Sequence, residues 1–399
     1  MATRRLSQIF TSLTNGFDKE PNVPYDRVIV WLSLALMMIG LVMVSSASIA
    51  ISTKLVGDSF YFATRQAIYI LLAITIALVT MQISVAQWQK YSMAILGVSI
   101  FLLVIVLVIG NEVNGARRWL SLGFINVQPA EIAKLALLIF LASYLIRKQE
   151  EVRERFVGFI KPMGLFCIFA FLLLKQPDLG SAVVMFIITV TMIFVAGAKL
   201  WQFVALMGLG VMSIGFLIAF EPYRVSRVTS FLNPWEDPFG SGYQLTQSLM
   251  AFGRGGWFGQ GLGNSIQKLE YLPEAHTDFV VAILAEEFGF VGVLVVLLLI
   301  FALAARALHI SKRCLALVEK EMHFGGFAAL GIAVWIVFQA LVNIGAAAGM
   351  IPTKGLTLPL VSYGGSSLMV MAVVVALLMR IDYEYRLLVT NTSERIRKQ

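Results

Sequence analysis

Charged residues inside long apolar runs are the positions in this sequence most able to do chemistry. Glu131 and Lys134 stand three residues apart in one such run, and Arg65 stands near the start of another. A spacing of three places Glu131 and Lys134 on one face of a helix, where they can pair. Each charge costs at least about 2.5–3.5 kcal/mol at the centre of a bilayer, so such charges are usually functional. A purely structural ion pair is the alternative, and the spacing alone favours neither.

A second candidate is the segment 272–278, which joins a long polar loop to an apolar run. Asp278 stands at the predicted start of a helix, where a carboxylate can accept backbone N–H bonds and meets the positive end of the helix dipole. Ala282 and Ala285 follow on roughly the same face and leave room for a neighbouring helix or for a cavity. Asp278 is therefore either a general base beside a cavity or a helix cap. His276 is a second candidate base, although a histidine in a loop more often serves in hydrogen bonding.

Prolines and glycines interrupt the last part of the chain, in 352–359 and 362–367. They break the helix and free backbone N–H groups, which lipid tolerates only where the backbone is buried in protein or lines a wet cavity. A lysine and free amides suit an anionic group such as a pyrophosphate. The candidate binding positions here are Lys354, Ser362, Gly364 and Ser366.

Composition shows which elements must position these side chains. Of the 399 residues 59% are hydrophobic and 14% charged, whereas soluble proteins carry about 25% charged residues. Lipid must therefore be the solvent for much of the chain. The net charge of +8 is dispersed between apolar runs and forms no single stripe, so no nucleic-acid partner is expected.

Apolar runs of about 18–25 residues, long enough to cross a bilayer, predict an all-α polytopic integral membrane protein with about ten transmembrane helices. Backbone groups in lipid must be satisfied internally, which favours helices. The predicted spans lie near 28–48, 61–82, 91–110, 130–147, 158–175, 180–198, 200–220, 278–306, 324–350 and 362–383.

The distribution of lysine and arginine predicts the orientation. Most of the 31 basic residues fall on the side of the two termini, which the positive-inside rule assigns to the cytoplasm. The predicted organisation is thus a cytoplasmic tail 1–27, a membrane domain 28–383 and a cytoplasmic tail 384–399. The first 27 residues contain no apolar h-region, so no cleaved signal peptide is expected.

Two segments on the opposite, periplasmic side are too long to be simple connectors. Residues 111–129 contain a short amphipathic piece suited to an interface, with Trp119 at headgroup depth. Residues 221–277 are too aromatic to be disordered, so a large periplasmic loop folded over the outer face is predicted. The glycine-dense run 253–263 indicates tight turns more than a nucleotide site. Glu286 and Glu287 lie mid-helix and need buried partners or water.

Several of these stretches together resemble the SEDS (shape, elongation, division and sporulation) family, from about residue 25 to residue 386. The stretches are Gln128-Pro129-Ala130-Glu131 to Lys134, Gln176-Pro177-Asp178-Leu179-Gly180, Leu272-Pro273-Glu274 to Asp278, and Ser362-Tyr363-Gly364-Gly365-Ser366. Within the family, residues 222–224, 233–238 and 345–349 favour the division-type over the elongation-type members.

The resemblance implies a peptidoglycan glycosyltransferase that polymerises lipid II into glycan strands during septal cell-wall synthesis. Such an enzyme transfers the growing glycan from undecaprenyl pyrophosphate to the 4-hydroxyl of an incoming GlcNAc. The family's essential carboxylate falls on Asp278, and its cavity charges fall on Arg65, Glu131 and Lys134.

The resemblance also implies partners and a location. The partners are the class B penicillin-binding transpeptidase FtsI, other divisome membrane proteins and membrane lipid, at the septum in the bacterial inner membrane. A divalent cation, Mg²⁺ or Mn²⁺, is neither required nor excluded by the residues. A lipid II flippase and a non-catalytic divisome scaffold are the alternative functions.

Overall fold

The computed structural model describes residues 25–398, apart from positions 114, 122, 124, 125, 221, 318, 319, 353 and 354. The predicted N-terminal tail therefore lies almost wholly outside the described residues. The predicted binding residue Lys354 lies outside them as well.

The described residues are mainly helical. The α-helices are α1 (Arg27–Val56), α2 (Tyr61–Thr80), α3 (Val85–Lys90), α4 (Ser92–Ile109), α5 (Pro129–Arg147), α6 (Gln149–Glu154), α7 (Phe156–Lys175), α8 (Leu179–Val195), α9 (Leu200–Ala219), α10 (Pro222–Leu232), α11 (Tyr243–Gly255), α12 (Val280–Leu315), α13 (His323–Ala347) and α14 (Gly365–Lys398). A short 3₁₀ turn, Lys320–Met322, precedes α13.

Each predicted span coincides with one helix of this set. Within the described residues, eight helices are long and apolar enough to cross a membrane, and α8 and α9 contribute shorter apolar stretches. The polytopic membrane fold with helical spans predicted from the apolar runs is therefore confirmed.

Local sequence signals account for where several helices begin and end. Asp26 caps α1 by accepting a hydrogen bond from the Val28 N–H at 2.9 Å, and Gly57 ends that helix in the left-handed conformation. Pro129 occupies the first turn of α5, where a missing N–H costs nothing. These ends follow from residue type alone.

The helices differ in how much of their surface the protein covers. The apolar stretch of α5 is 83% buried, and those of α13 and α14 are nearly as covered, whereas α2 and α4 are only 28% buried. A helix that is apolar all round and buried belongs to the core of the bundle. The exposed apolar faces of α2 and α4 are suited to lipid.

The segment after α4 is a small antiparallel sheet in the order β1-β2-β3. Its strands are β1 (Asn111–Val113), β2 (Ala116–Ser121) and β3 (Asn126–Val127). The amphipathic piece predicted here is thus extended, and Arg117, Arg118 and Trp119 lie on the central strand β2. Its pairing with both neighbouring strands satisfies the backbone groups that a helix would have satisfied internally.

The C-terminal boundary predicted at 383/384 is not a helix end, because α14 continues to Lys398. Two ion pairs at i,i+4 spacing cross the predicted boundary. Arg380 pairs with Glu384, and Arg386 pairs with Asp382, each at 2.7 Å. Ion pairs at this spacing stabilise a helix. The change to polar residues after 383 therefore does not mark the end of α14.

Helix α12 is broken at Gly289, whose backbone is non-helical with φ 68° and ψ −168°. The break frees backbone groups, and the segment 255–263, here called the glycine loop, satisfies them. Phe290 N donates to Gly256 O at 2.9 Å and Val291 N to Trp257 O at 3.1 Å. Conversely, the N–H groups of Gln260 and Gly261 donate to the carbonyls of residues 286 and 287, each at 2.9 Å. The loop thus replaces the missing helical hydrogen bonds.

Glu286 and Glu287 of α12 are fully buried and bind residues on both sides of the glycine loop. Glu286 accepts from Arg254 at 2.6 Å and from the Ile266 N–H at 2.9 Å. Glu287 pairs with Lys268 at 2.8 Å. Both glutamates have partners within the protein, and the large predicted loop is folded onto the bundle.

Candidate active site

Asp278 lies where the large loop enters α12, and its side chain is half-buried. The N-cap residue of α12 is Phe279, which makes no side-chain cap bond. The helix begins two residues after Asp278, so the structure does not support the helix-cap alternative for this residue. A half-buried carboxylate at a helix entrance can reach both protein and solvent.

Gly355 is approached by both the Asp278 carboxylate and the Arg118 guanidinium. A Cβ atom on Gly355 would lie 3.0 Å from Oδ2 of Asp278 and 4.0 Å from Nη1 of Arg118. Both charged side chains therefore lie near Gly355, and the absence of a side chain there lets the Asp278 carboxylate pack closely against the backbone.

Arg118 reaches this place from strand β2 and is held by main-chain carbonyls. Its Nε donates to Gln176 O at 3.0 Å, and its Nη2 donates to Pro177 O at 2.5 Å. The sequence placed Arg118 in an interfacial segment but did not identify it as a site residue. The signal that it carried, an arginine beside Trp119 on a polar segment, did not specify its partner.

Helix α13 connects the Asp278 region to the segment after Gly355. The Asn343 side chain donates to Asp278 O at 2.9 Å and to Leu356 O at 2.6 Å. Gln339, one turn earlier, donates to Thr357 O at 2.9 Å. Sequence reasoning also missed these two amides, because the sequence of an apolar helix does not indicate which carbonyls its amide side chains bind.

Glu131 and Lys134 form the predicted ion pair, with Nζ of Lys134 2.8 Å from Oε1 of Glu131. Lys134 is fully buried, and its ammonium also donates to Gln339 at 2.9 Å and lies over the Trp335 ring. Gln339 thereby links the pair to the Thr357 backbone. The pair is therefore part of a buried network with Trp335 and Gln339, here called the frame, which lies behind the site.

Arg65 lies on α2 beside a cluster of aromatic rings. Its guanidinium carbon is 4.7 Å from the centre of the Tyr61 ring, and it hydrogen bonds to Tyr363. The ring of His276 lies 5.4 Å from that of Tyr363, and the Tyr363 N–H donates to His276 O at 3.0 Å. Arg65 is thereby placed next to the loop that carries Asp278.

Burial sets the protonation states in this aromatic cluster. Burial lowers the pKa of His276, which favours the neutral imidazole over the cation. Burial also raises the pKa of Tyr363, and the hydrogen bond with Arg65 opposes that rise only in part. His276 and Tyr363 are therefore neutral near pH 7, and Arg65 supplies positive charge among them.

The predicted serine and glycine positions shape the segment between α13 and α14. Ser362 Oγ accepts from the Leu358 N–H at 2.8 Å, and Ser366 Oγ accepts from the Gln128 N–H at 3.0 Å. A Cβ on Gly364 would meet Thr357 and Ser367 at ordinary contact distance. These residues hold the irregular backbone in place beside Asp278.

One end of the bundle therefore gathers most of the predicted site residues: Asp278, Arg65, Ser362, Gly364 and Ser366. The pair Glu131–Lys134 lies behind them and is connected to them through Gln339 and through the start of α5, where the Gln128 N–H binds Ser366. Among the described residues, no group of three histidine, cysteine, aspartate or glutamate side chains could hold a metal ion.

The fold and the site define a polytopic membrane protein whose broken backbone and charged groups converge at one end of a helical bundle. The chain belongs to the FtsW, RodA and SpoVE family of cell cycle proteins, whose family model matches residues 27–387.

Two relatives illustrate the similarity within the family. A protein of Aliivibrio salmonicida named probable peptidoglycan glycosyltransferase FtsW is 57% identical over 99% of this chain and 98% of its own length. A protein of the same name from Escherichia coli O6:H1 is 56% identical over 93% of this chain and 89% of its own.

Solved structures support the same fold. A chain from a study of polymerization and crosslinking by a peptidoglycan synthase complex is 33% identical, with a TM-score of 0.72. The match covers 90% of this chain and 98% of that chain. Thermus thermophilus rod shape determining protein RodA is 30% identical with a TM-score of 0.67, over 92% of this chain and 99% of RodA.

Proposed function

We propose that this protein is a peptidoglycan glycosyltransferase that polymerises lipid II into glycan strands during septal wall synthesis. Relatives more than half identical over nearly the whole chain carry the name peptidoglycan glycosyltransferase, which supports the activity. Lipid II, as a lipid-linked sugar, requires a site near the membrane surface, and the residues around Asp278 gather at one end of the apolar bundle.

Asp278 is the proposed general base. Transfer of a glycan to a hydroxyl needs removal of the hydroxyl proton, and a base must come within about 3 Å of that proton's oxygen. The single observation that carries this assignment is the half-buried carboxylate at the entrance of α12, packed closely against Gly355. Its partial exposure lets an acceptor hydroxyl reach the carboxylate from the side away from Gly355.

Arg118 and Arg65 are the proposed partners of the leaving pyrophosphate. Its charge must be compensated as the bond to the sugar breaks, and Arg118 Nη1 faces the same glycine as Asp278. Lys134 is occupied by Glu131 and Gln339, so we assign it to the frame behind the site. Lys354 keeps its predicted role as a phosphate-binding residue.

The proposed surroundings follow the family. We propose the bacterial inner membrane at the division septum, with both termini cytoplasmic, and the transpeptidase FtsI as partner with other divisome proteins. The peptidoglycan synthase complex of the similar solved chain supports a partnership between polymerisation and crosslinking.

Glycan formation from lipid II by the purified protein, alone and with FtsI, tests the function. We expect polymer that disappears in Asp278→Asn. Lipid II movement between leaflets without polymer would instead identify a flippase, and recruitment of FtsI with neither activity would identify a scaffold. Adding and then chelating Mg²⁺ or Mn²⁺ in the same assay tests whether a divalent cation takes part in the reaction.

A further inference from the structure

Asn343 of α13 lies where the entrance of α12 meets the segment after Gly355. Its side-chain amide donates to Asp278 O at 2.9 Å and to Leu356 O at 2.6 Å. Only 1% of Asn343 is exposed, so water hardly competes for these bonds. Both amide hydrogens are used, and the side chain ties Asp278 directly to the residue that follows Gly355.

The two hydrogen bonds of Asn343 belong to a larger buried network on α13. Gln339, one turn earlier on α13, donates to Thr357 O at 2.9 Å and accepts from Trp335 at 2.7 Å and from Lys134 at 2.9 Å. Helix α13 therefore holds two successive carbonyls of the segment, those of Leu356 and Thr357. Asn343 also donates a hydrogen bond to the main-chain carbonyl of Asp278.

We propose that Asn343 is a positioning residue that sets the distance between the Asp278 carboxylate and the backbone at Gly355. The inference rests on the proposed function, since it matters only if Asp278 is the base. Asn343 does not contact the reacting atoms. It acts through the Asp278 main chain, and a displacement of about 1 Å can lower a catalysed rate by about 10²-fold.

Because the Asn343 amide acts as a donor, substitution can remove its two hydrogen bonds selectively. Asn343 Oδ1 is buried and accepts no hydrogen bond from the described residues, so the amide serves as a donor. Asn343→Ala removes both donated bonds. Asn343→Asp keeps the shape but presents an acceptor to two carbonyl oxygens, and it serves as the second variant should the alanine variant fail to fold.

Ser248→Ala is the matched control. The Ser248 hydroxyl is also fully buried and donates to a main-chain carbonyl, that of Ala347, at 2.6 Å. It ties α11 to the end of α13 and contacts no proposed site residue. Both changes remove buried hydrogen bonds to the backbone, so both are expected to lower the unfolding midpoint of the purified protein.

Steady-state polymerisation of lipid II by the protein with FtsI separates positioning from stability. We expect Asn343→Ala to lower kcat about 10- to 100-fold, with KM within about threefold of wild type. Ser248→Ala should leave kcat and KM within about twofold of wild type. In an Asp278→Glu background, where the carboxylate is already displaced, Asn343→Ala should cost only a few-fold in kcat, because the two positions are coupled.

Three results would overturn the inference. These are a kcat within about twofold of wild type in the folded Asn343 variant, an equal loss in Ser248→Ala, or an undiminished loss in the Asp278→Glu background. If wild type forms polymer and Asp278→Asn does not, any of these three defeats the role of Asn343 alone. If wild type forms no polymer, the proposed function fails, and the inference fails with it.

Discussion

Asp278 differs from the buried carboxylates of the bundle in its exposure. Glu131, Glu286 and Glu287 are at most 3% exposed, and a basic side chain holds each of them. Asp278 is half-buried at the entrance of a helix. A base that must meet an incoming hydroxyl needs such partial access, whereas a buried and paired carboxylate serves the fold.

Asp278→Asn is expected to lower the rate of polymerisation by about 10²–10⁴-fold, which is the usual contribution of general-base catalysis. Asparagine keeps the size of the side chain but does not take up the proton. Glycan formation from lipid II measures the loss, and unfolding midpoint and FtsI co-purification should stay at wild-type values. Glu236→Gln, which neutralises an exposed loop carboxylate, is the control, and near-normal polymer from Asp278→Asn contradicts the assignment.

Glu131→Ala is expected to destabilise the protein by about 3–5 kcal/mol, because it leaves the buried Lys134 ammonium without its counter-charge. Thermal unfolding of the purified protein measures the effect. Lys148→Ala is the control, since it breaks a pair with Glu151 in which the lysine is 52% exposed. Exposed pairs are worth at most about 1 kcal/mol.

A double change, Glu131→Leu with Lys134→Met, decides whether the pair is structural or functional. Apolar residues of similar size often restore the stability lost when one partner of a buried pair is removed. A stable double variant that still polymerises lipid II would show a structural pair. A stable but inactive one would give the pair a role in the reaction.

At the scale of elements, the break in α12 and the glycine loop form one unit. Gly289 has a positive φ, and a Cβ atom there would lie 2.5 Å from the backbone of Trp257 and Gly259. Neither α12 nor the glycine loop can move away without losing the hydrogen bonds that bridge the break. Glycine at 289 is therefore required by conformation and by space together.

Gly289→Ala is expected to destabilise the protein by more than the roughly 1–3 kcal/mol of a strained backbone alone, and to loosen the loop. Thermal unfolding and limited proteolysis near Trp257 measure the two effects. Gly253→Ala is the control, because this glycine lies within α11 with open space around it. Alanine there should be neutral or slightly stabilising. A Gly289→Ala protein as stable and protease-resistant as wild type would contradict the structure of this unit.

At the scale of the whole molecule, orientation is the property on which the proposed function depends. A reporter fused within 149–157 or 312–322 is expected on the cytoplasmic side, and one near Asp237 on the periplasmic side, because basic residues flank the former segments. Alkaline phosphatase and fluorescent-protein fusions in cells measure the two sides. A cytoplasmic reporter at Asp237 would place the Asp278 end of the bundle away from the proposed wall synthesis.

Features that depend on neighbouring residues could be predicted from the sequence by itself. Apolar runs long enough to cross a bilayer marked the helices, Pro129 marked the start of α5, and the spacing of Glu131 and Lys134 gave their ion pair. The motifs around Asp278 gave the family. Each of these signals is local, because helix hydrogen bonds and i,i+3 contacts join residues within one turn.

Only the tertiary structure decided what surrounds those residues. Asn343 binds Asp278 across 65 positions of sequence, and Lys134 binds Gln339 across 205. The break at Gly289 is stable because the glycine loop supplies partners that the helix lacks. Arg118 approaches Gly355, as Asp278 does, because strand β2 carries it there. A buried polar group takes whichever partner the packed chain brings to it, and that partner has no mark in the local pattern of residues.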